Sequence, residues 1–290
     1  MRAAISRSAA RFAKASALFI SICASPHIRA ACTSPLPPPN HPALSIFSED
    51  YFRAVSLWAE LPSNERELLA RVSILQRNTK LADKKLNFQS LPPPGLAPVP
   101  SARAGARLQA EAANGLDKLL TAARAADHGG IRTYFLNVGD TYRSFEEQKT
   151  NWNVNLKRYF SEQKTKLEAF KTADRRYSDD AVCAMRNYAA VRYAFPGFSN
   201  HQNGLAVDLH AKEDSAPRLV ASTSKALIGD TGLTNIQLWC QSWTFRWLAE
   251  NASTFGFVQA PIDEPWHWEY RPEMATDPVR ASYTAPSCKV

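Results

Sequence analysis

The sequence predicts an α+β fold. Segments with helical apolar spacing occur together with short β-branched and aromatic segments, and the two kinds do not alternate in the regular order that a parallel sheet requires. The length of 290 residues and the 45% apolar content suffice for one sizeable domain with extensions.

The first 30 residues carry Arg2, Arg7, Arg11, Lys14 and Arg29 and no acid; the first acid is Glu49. Ala15–Ala24 is an apolar run too short to span a bilayer as an ordinary helix. Small residues follow it, with cleavage expected after Ala24 or around Ala30–Ala31. This pattern reads as a secretory signal over 1–30 and predicts an exported protein, periplasmic or extracellular, without stable membrane insertion. An acid-free organelle transit peptide shares the composition; the hydrophobic run favours export. Removing the five leading cations reduces the formal charge from +8 to +3, which argues against a nucleic-acid partner. Of the five cysteines, Cys23 leaves with the signal. Cys32, Cys183, Cys240 and Cys288 remain, and their pairing stays open.

A proline-rich spacer, 31–47, contains Pro35–Pro39. Ser48–Glu60 and Ser63–Lys80 read as helices of an accessory region, 48–90, the second opened by an Asn64–Glu67 capping box. Leu91–Pro100 lies in a proline-rich linker, 91–101, before the main domain, 102–290. Apolar residues from Leu108 to Ala123 recur at helical spacing, which predicts a helix over Arg103–Ala126, ended by His128-Gly129-Gly130. Ile131–Val138 reads as a strand and Asn151–Ala194 as long, charged and mostly helical. Leu205–His210 reads as a short strand. Leu233–Ser253 reads as one helix with Trp239, Trp243 and Trp247 on one core-facing side, and strands follow at Phe257–Ala260 and Trp266–Tyr270.

Three blocks can carry chemistry. In Leu205–His210 the alternation puts Leu205, Val207 and Leu209 on one face and Ala206, Asp208 and His210 on the other. A carboxylate beside a core needs a partner, and Gly204 allows a turn that returns His201 to Asp208. Alone, this pair reads equally as a structural hydrogen bond or as two metal ligands. In Glu264–Tyr270, His267 and Glu269 share one strand face and Trp266 and Trp268 the other. Two imidazoles and one carboxylate suit a catalytic zinc, with Glu264 as the nearby proton acceptor. Alone, His267 between two tryptophans reads as a core histidine. The third block, Tyr142-Arg143-Ser144 with Gln148, follows a strand and opens a helix; Arg143 can stabilise an oxyanion or be a solvated arginine.

Together the blocks resemble the VanY-like D-alanyl-D-alanine carboxypeptidases, zinc peptidases that share a fold with lysostaphin-type enzymes and the hedgehog domain. The pattern runs through Tyr142, Arg143, Ser144 and Gln148, then Ser199, His201, Gly204, Ala206 and Asp208, then Glu264, Trp266 and His267, over about Ala102–Pro272. The resemblance implies a small central antiparallel sheet carrying one zinc ion, flanked by helices, with an N-terminal helical extension. It implies His201, Asp208 and His267 as zinc ligands and Glu264 as general base. It implies Arg143 as the group polarising the scissile carbonyl, with Ser199, Gln148, Tyr142 and Ser144 at the substrate, a peptidoglycan stem peptide. His210 falls outside the pattern and reads as exposed. The helical sequence from Asn153 to Ala190 is longer than in compact relatives and can alter which peptides fit. The expected activity is release of a terminal D-alanine. The rivals are an endopeptidase or dipeptidase on the same site, and a non-catalytic zinc-binding cell-wall module; retention of both Glu264 and Arg143 argues against the last.

Overall fold

A computed structural model describes residues 56–82, 93–132, 134–214, 217–222, 227–260, 264–276 and 286–288. The signal and the proline-rich spacer lie outside these residues, as do Ser48–Val55 of the first expected helix. Ser56–Trp58, at that helix's end, is a single 3₁₀ turn.

The centre is a four-stranded antiparallel sheet. It contains β3 (Tyr134–Asp140), β4 (Ala206–Glu213), β5 (Phe257–Gln259) and β6 (His267–Tyr270), in the order β3-β4-β6-β5. A separate hairpin pairs β1 (Leu96–Pro98) with β2 (Arg107–Gln109). The helices are α1 (Ser63–Ala82), α2 (Ala110–Ala125), α3 (Phe145–Leu167), α4 (Asp179–Ala190), α5 (Asn235–Gln241), α6 (Trp243–Asn251) and the single turn α7 (Pro272–Ala275).

Strand alternation sorts the side chains. Val207, Leu209 and Ala211 of β4, Leu136 and Val138 of β3, and Trp268 of β6 face one way. They form one core with Leu116, Leu119 and Leu120 of α2, Trp239 of α5, and Phe245 and Leu248 of α6. A second core joins the accessory helix to the long helical segment. Leu68, Leu69 and Val72 of α1 pack with Trp152, Leu156 and Phe160 of α3 and with Val182 and Met185 of α4. The Trp152 indole donates to Ser73 Oγ at 3.0 Å, so α1 is tied to α3 by a buried hydrogen bond as well as by apolar contact. Helix α3 is opened by Ser144, whose side chain accepts from Glu147 N. Cys240 pairs with Cys288, linking α5 to the 3₁₀ turn Pro286–Cys288, and Cys183 is disulfide-bonded as well.

Three local expectations change, and a fourth, the mostly helical segment 151–194, is refined. The helix expected over Arg103–Ala126 begins at Ala110, because Arg107–Gln109 is taken into the hairpin with Leu96–Pro98, a segment of the stretch read as linker. The Asn64–Glu67 capping box does not form: Glu67 pairs with Arg176, and Asn64 Oδ1 accepts from the adjacent Glu65 N. The segment 151–194 is two helices, separated by a bridge between Lys171 and Tyr177. The aromatic helix over Leu233–Ser253 is split at Ser242. The backbone there is extended, and its hydroxyl accepts from Phe245 N while donating to the Trp239 carbonyl. Trp239 is consequently sealed in the core, whereas Trp243 and Trp247 stack on each other half-buried.

Gly115 marks where α2 meets the turn before β5. A Cβ there would stand 2.6 Å from the Phe255 carbonyl oxygen. Gly115→Ala is expected to lower stability by about 1–3 kcal/mol through overpacking. That outweighs the roughly 1 kcal/mol alanine contributes to an isolated helix. Urea unfolding measures the change, and an unchanged or raised midpoint would contradict this close approach.

Candidate metal centre

The candidate site lies on the sheet face opposite the α2 core, where the segment 141–204 crosses it. Asp208 comes from the middle of β4 and His267 from the start of β6, paired directly across the two strands. His201 comes from the turn before β4. Gly204 makes that turn possible: its φ is +63°, and a Cβ would stand 2.8 Å from Leu96 Cδ2 and 3.1 Å from Gln109 N. The Gly204 carbonyl accepts from Gln109 N, so the hairpin holds the turn in place.

His201 Nε2 lies 3.4 Å and His267 Nδ1 2.9 Å from Asp208 Oδ1. All three side chains are buried, and their donor atoms lie within 4.8 Å of one another. The remote ring nitrogens are occupied. His201 Nδ1 donates to the Thr141 carbonyl at 2.6 Å, and His267 Nε2 faces Glu269 Oε1 at 3.3 Å. This fixes which nitrogen each ring offers to the centre, Nε2 of His201 and Nδ1 of His267. Two imidazoles and a carboxylate, buried and convergent, fit one divalent cation of the class that takes nitrogen and oxygen ligands, zinc foremost.

The electrostatics agree with that fit. Burial alone would raise Asp208, but the two imidazoles outweigh it and hold the carboxyl well below its usual range. Burial likewise opposes charge on His267, yet Asp208 and Glu269 push its pKa up to about 10. The pocket is therefore built to hold positive charge at its centre. Glu264, half-buried on the turn before β6, has its carboxyl raised by burial; His267 and His201 oppose the shift. Its carbonyl accepts from His267 N at 2.9 Å, so base candidate and ligand are fixed relative to each other.

Arg143 completes the wall. A β-bulge between Val138 and Asp140 pairs Asp140 with Asp208 and turns its side chain to the site face. Asp140 Oδ2 accepts from Arg143 Nε at 3.0 Å and also from Nη2. Gln148 Oε1 accepts from Nη1 at 2.5 Å, and the Tyr193 ring lies 5.5 Å from the guanidinium carbon. Burial would lower the Arg143 pKa, but Asp140 outweighs it and keeps the charge. Arg143 N donates to the His201 carbonyl, tying the arginine loop to the metal turn.

The neighbours expected at substrate are placed differently from one another. Gln148 is fully buried, its amide divided between Arg143 and the Ala194 carbonyl, so it positions the guanidinium. Ser144 caps α3. Ser199 is buried beside His201, whose backbone N–H donates to its hydroxyl. Tyr142 is half-buried, its N–H donating to the Arg107 carbonyl. His210 is half-buried rather than free, stacked on Phe135.

The D-alanyl-D-alanine carboxypeptidase family, VanY, matches this chain over residues 105–273, a span that includes every one of these residues. The chain belongs to that family. Among solved structures it is similar to a vancomycin-resistance D,D-pentapeptidase VanY from a VanB-type cassette, in complex with Zn(II). The identity is 24%, over 66% of this chain and 89% of that one, with a TM-score of 0.40. An LdcB LD-carboxypeptidase shares 21% identity over 64% of this chain and 74% of that one, at TM-score 0.37. DacB from Streptococcus pneumoniae shares 20% over 63% and 76%, at TM-score 0.33. No curated protein matches.

Two positions that shape the site of this VanY-family chain, Thr141 and Asp140, escaped the motif reading. Thr141 orients His201 through a backbone carbonyl, which no residue type announces. Asp140 needs the bulge to reach Arg143. Glu269 was legible, since it lies two residues beyond His267 on the same strand face. Arg271 holds it from behind, donating from Nε to Oε2 at 2.6 Å. Glu269→Gln is expected to weaken metal affinity about 10- to 100-fold, by calorimetric titration of metal-free protein. An unchanged affinity would remove Glu269 from the support of His267.

Proposed function

We propose that the chain is a zinc-dependent D,D-carboxypeptidase that releases the terminal D-alanine of peptidoglycan stem peptides outside the cytoplasmic membrane. The observation that carries this is the convergence of the buried His201, Asp208, His267 and Arg143, with the half-buried Glu264 beside them. Membership of the VanY family supports a peptidase acting on such peptides. Export rests on the sequence of residues 1–30; among the described residues no helix is long and apolar enough to cross a membrane.

The three donors would hold one zinc ion, which supplies Lewis acidity and lowers the pKa of a coordinated water to about 7. Glu264 takes the proton released as water attacks the scissile carbonyl, its burial having raised its affinity for that proton. It then delivers the proton to the departing amine of D-alanine. Arg143 is held rigid by Asp140 and Gln148 and keeps N–H groups beyond those it gives them. These stabilise the negative charge that develops on the carbonyl oxygen. Thr141 and Glu269 keep the imidazoles from rotating as charge moves.

The reading is tested by incubating zinc-loaded protein with a pentapeptide ending in D-Ala-D-Ala and assaying products. Free D-alanine is expected. A larger fragment without free D-alanine would reassign the chain as an endopeptidase, and a folded, zinc-loaded chain that cleaves nothing would overturn the proposal.

A further inference from the structure

The sheet face that carries the metal site continues beyond it. On β4, Asp208, His210 and Lys212 alternate with the buried Val207, Leu209 and Ala211, and burial falls along the strand: Asp208 is buried, His210 half-buried, Lys212 exposed. The covering segment 141–204 therefore ends just past Asp208 and leaves an open shelf. β3 supplies its other half. Asn137 pairs with His210 and Phe135 with Lys212, which puts both β3 side chains on this face.

The shelf is more ordered than a solvated sheet surface requires. Phe135 is 44% exposed, and its ring stacks on His210 at 5.6 Å with the planes 17° apart. Arg218 Nη2 donates to His210 Nε2 at 2.8 Å. Arg103 crosses the near end, giving its Nη2 to the Gly139 carbonyl at 2.6 Å and its backbone N–H to Asn137 Oδ1 at 2.9 Å. The positive charge belongs to Arg218, Arg103 and Lys212; the acids that flank the shelf are Asp140 and Asp208 at its metal end and Asp214, two residues beyond Lys212. At Gly139 a Cβ would stand 3.2 Å from the Asp208 carbonyl and 3.6 Å from His210 Nδ1. A side chain there would press on the Asp208 carbonyl and on His210.

We propose that this shelf binds a carboxylate-bearing portion of the peptide on the acyl side of the scissile bond, an inference that rests on the peptidase reading above. Distance decides the side. His210 and Lys212 lie roughly 7 and 13 Å along the strand from Asp208. One residue spans at most about 3.5 Å, so the backbone of a single departing residue ends short of both strand positions. An acyl chain reaches them two to four residues back. Phe135 offers that chain an apolar surface, and Arg218 with Lys212 pairs the carboxylate.

The test uses two peptides ending in D-Ala-D-Ala, one with a carboxylate and one with a carboxamide three residues before the scissile bond. Wild type is expected to favour the carboxylate, less so at high salt. Arg218→Glu and Lys212→Glu are each expected to reduce the carboxylate-to-carboxamide ratio of kcat/KM about tenfold, through KM. An unaltered ratio in both variants overturns the shelf. If wild type cleaves neither peptide, calorimetry on the zinc-loaded protein decides. A carboxylate preference in binding that Arg218→Glu removes supports the shelf while the hydrolytic reading fails alone; equal binding of both peptides overturns the shelf.

Discussion

Glu264→Ala is expected to keep its metal and lose turnover. Glu264 is not among the three convergent donors, so its removal leaves His201, Asp208 and His267 in place. What disappears is the group whose carboxyl burial raises beside the two imidazoles. Positioned acid–base catalysis contributes about 10²–10⁴-fold. Here one residue serves both as base for water and as acid for the leaving amine, so kcat should fall by at least about 10²-fold. Metal analysis and D-alanine release on the same preparation separate the two functions. Activity within tenfold of wild type would remove Glu264 from proton transfer, and loss of the metal would make it a ligand.

His201→Ala is expected to remove metal binding, and His210→Ala to leave it nearly intact. The two histidines flank the same aspartate in sequence, yet the fold separates them. His201 Nε2 points at Asp208 while its other nitrogen is bonded to Thr141; His210 is turned to Phe135 and Arg218. Loss of a group that only orients a ligand costs about 10–100-fold in affinity, so loss of His201 itself should exceed about 100-fold. For His210 a change of about twofold or less is expected. Titration of each metal-free variant with zinc compares them, and similar losses would mean that the ligand set is wrong.

The cluster of His201, Asp208 and His267 was more legible in the sequence than the helix boundaries. Strand alternation alone placed Asp208 opposite Val207 and Leu209, and His267 with Glu269 opposite the tryptophans. The structure has both arrangements because a two-residue period leaves no freedom once one face is buried. Gly204 was legible as the turn that returns His201. Long-range competition was not. Leu108 has helical spacing with the residues after it, but pairing with Leu96–Pro98 captures its segment into a hairpin. Ser242 sits inside an unbroken aromatic pattern, and its hydroxyl splits that pattern by capping the following helix. Glu67 matched a capping box, but Arg176, distant in sequence, takes its carboxylate. The bulge that delivers Asp140 to Arg143 depends on register between β3 and β4, which residue types do not encode locally.

The most direct test of the central claim is a zinc titration of chelator-stripped protein, with metal binding and D-alanine release followed together. The account predicts one zinc per chain, with release absent from the stripped protein and returning in proportion to occupancy. A folded, stripped chain that binds no zinc, or releases D-alanine equally well in excess chelator, would contradict it.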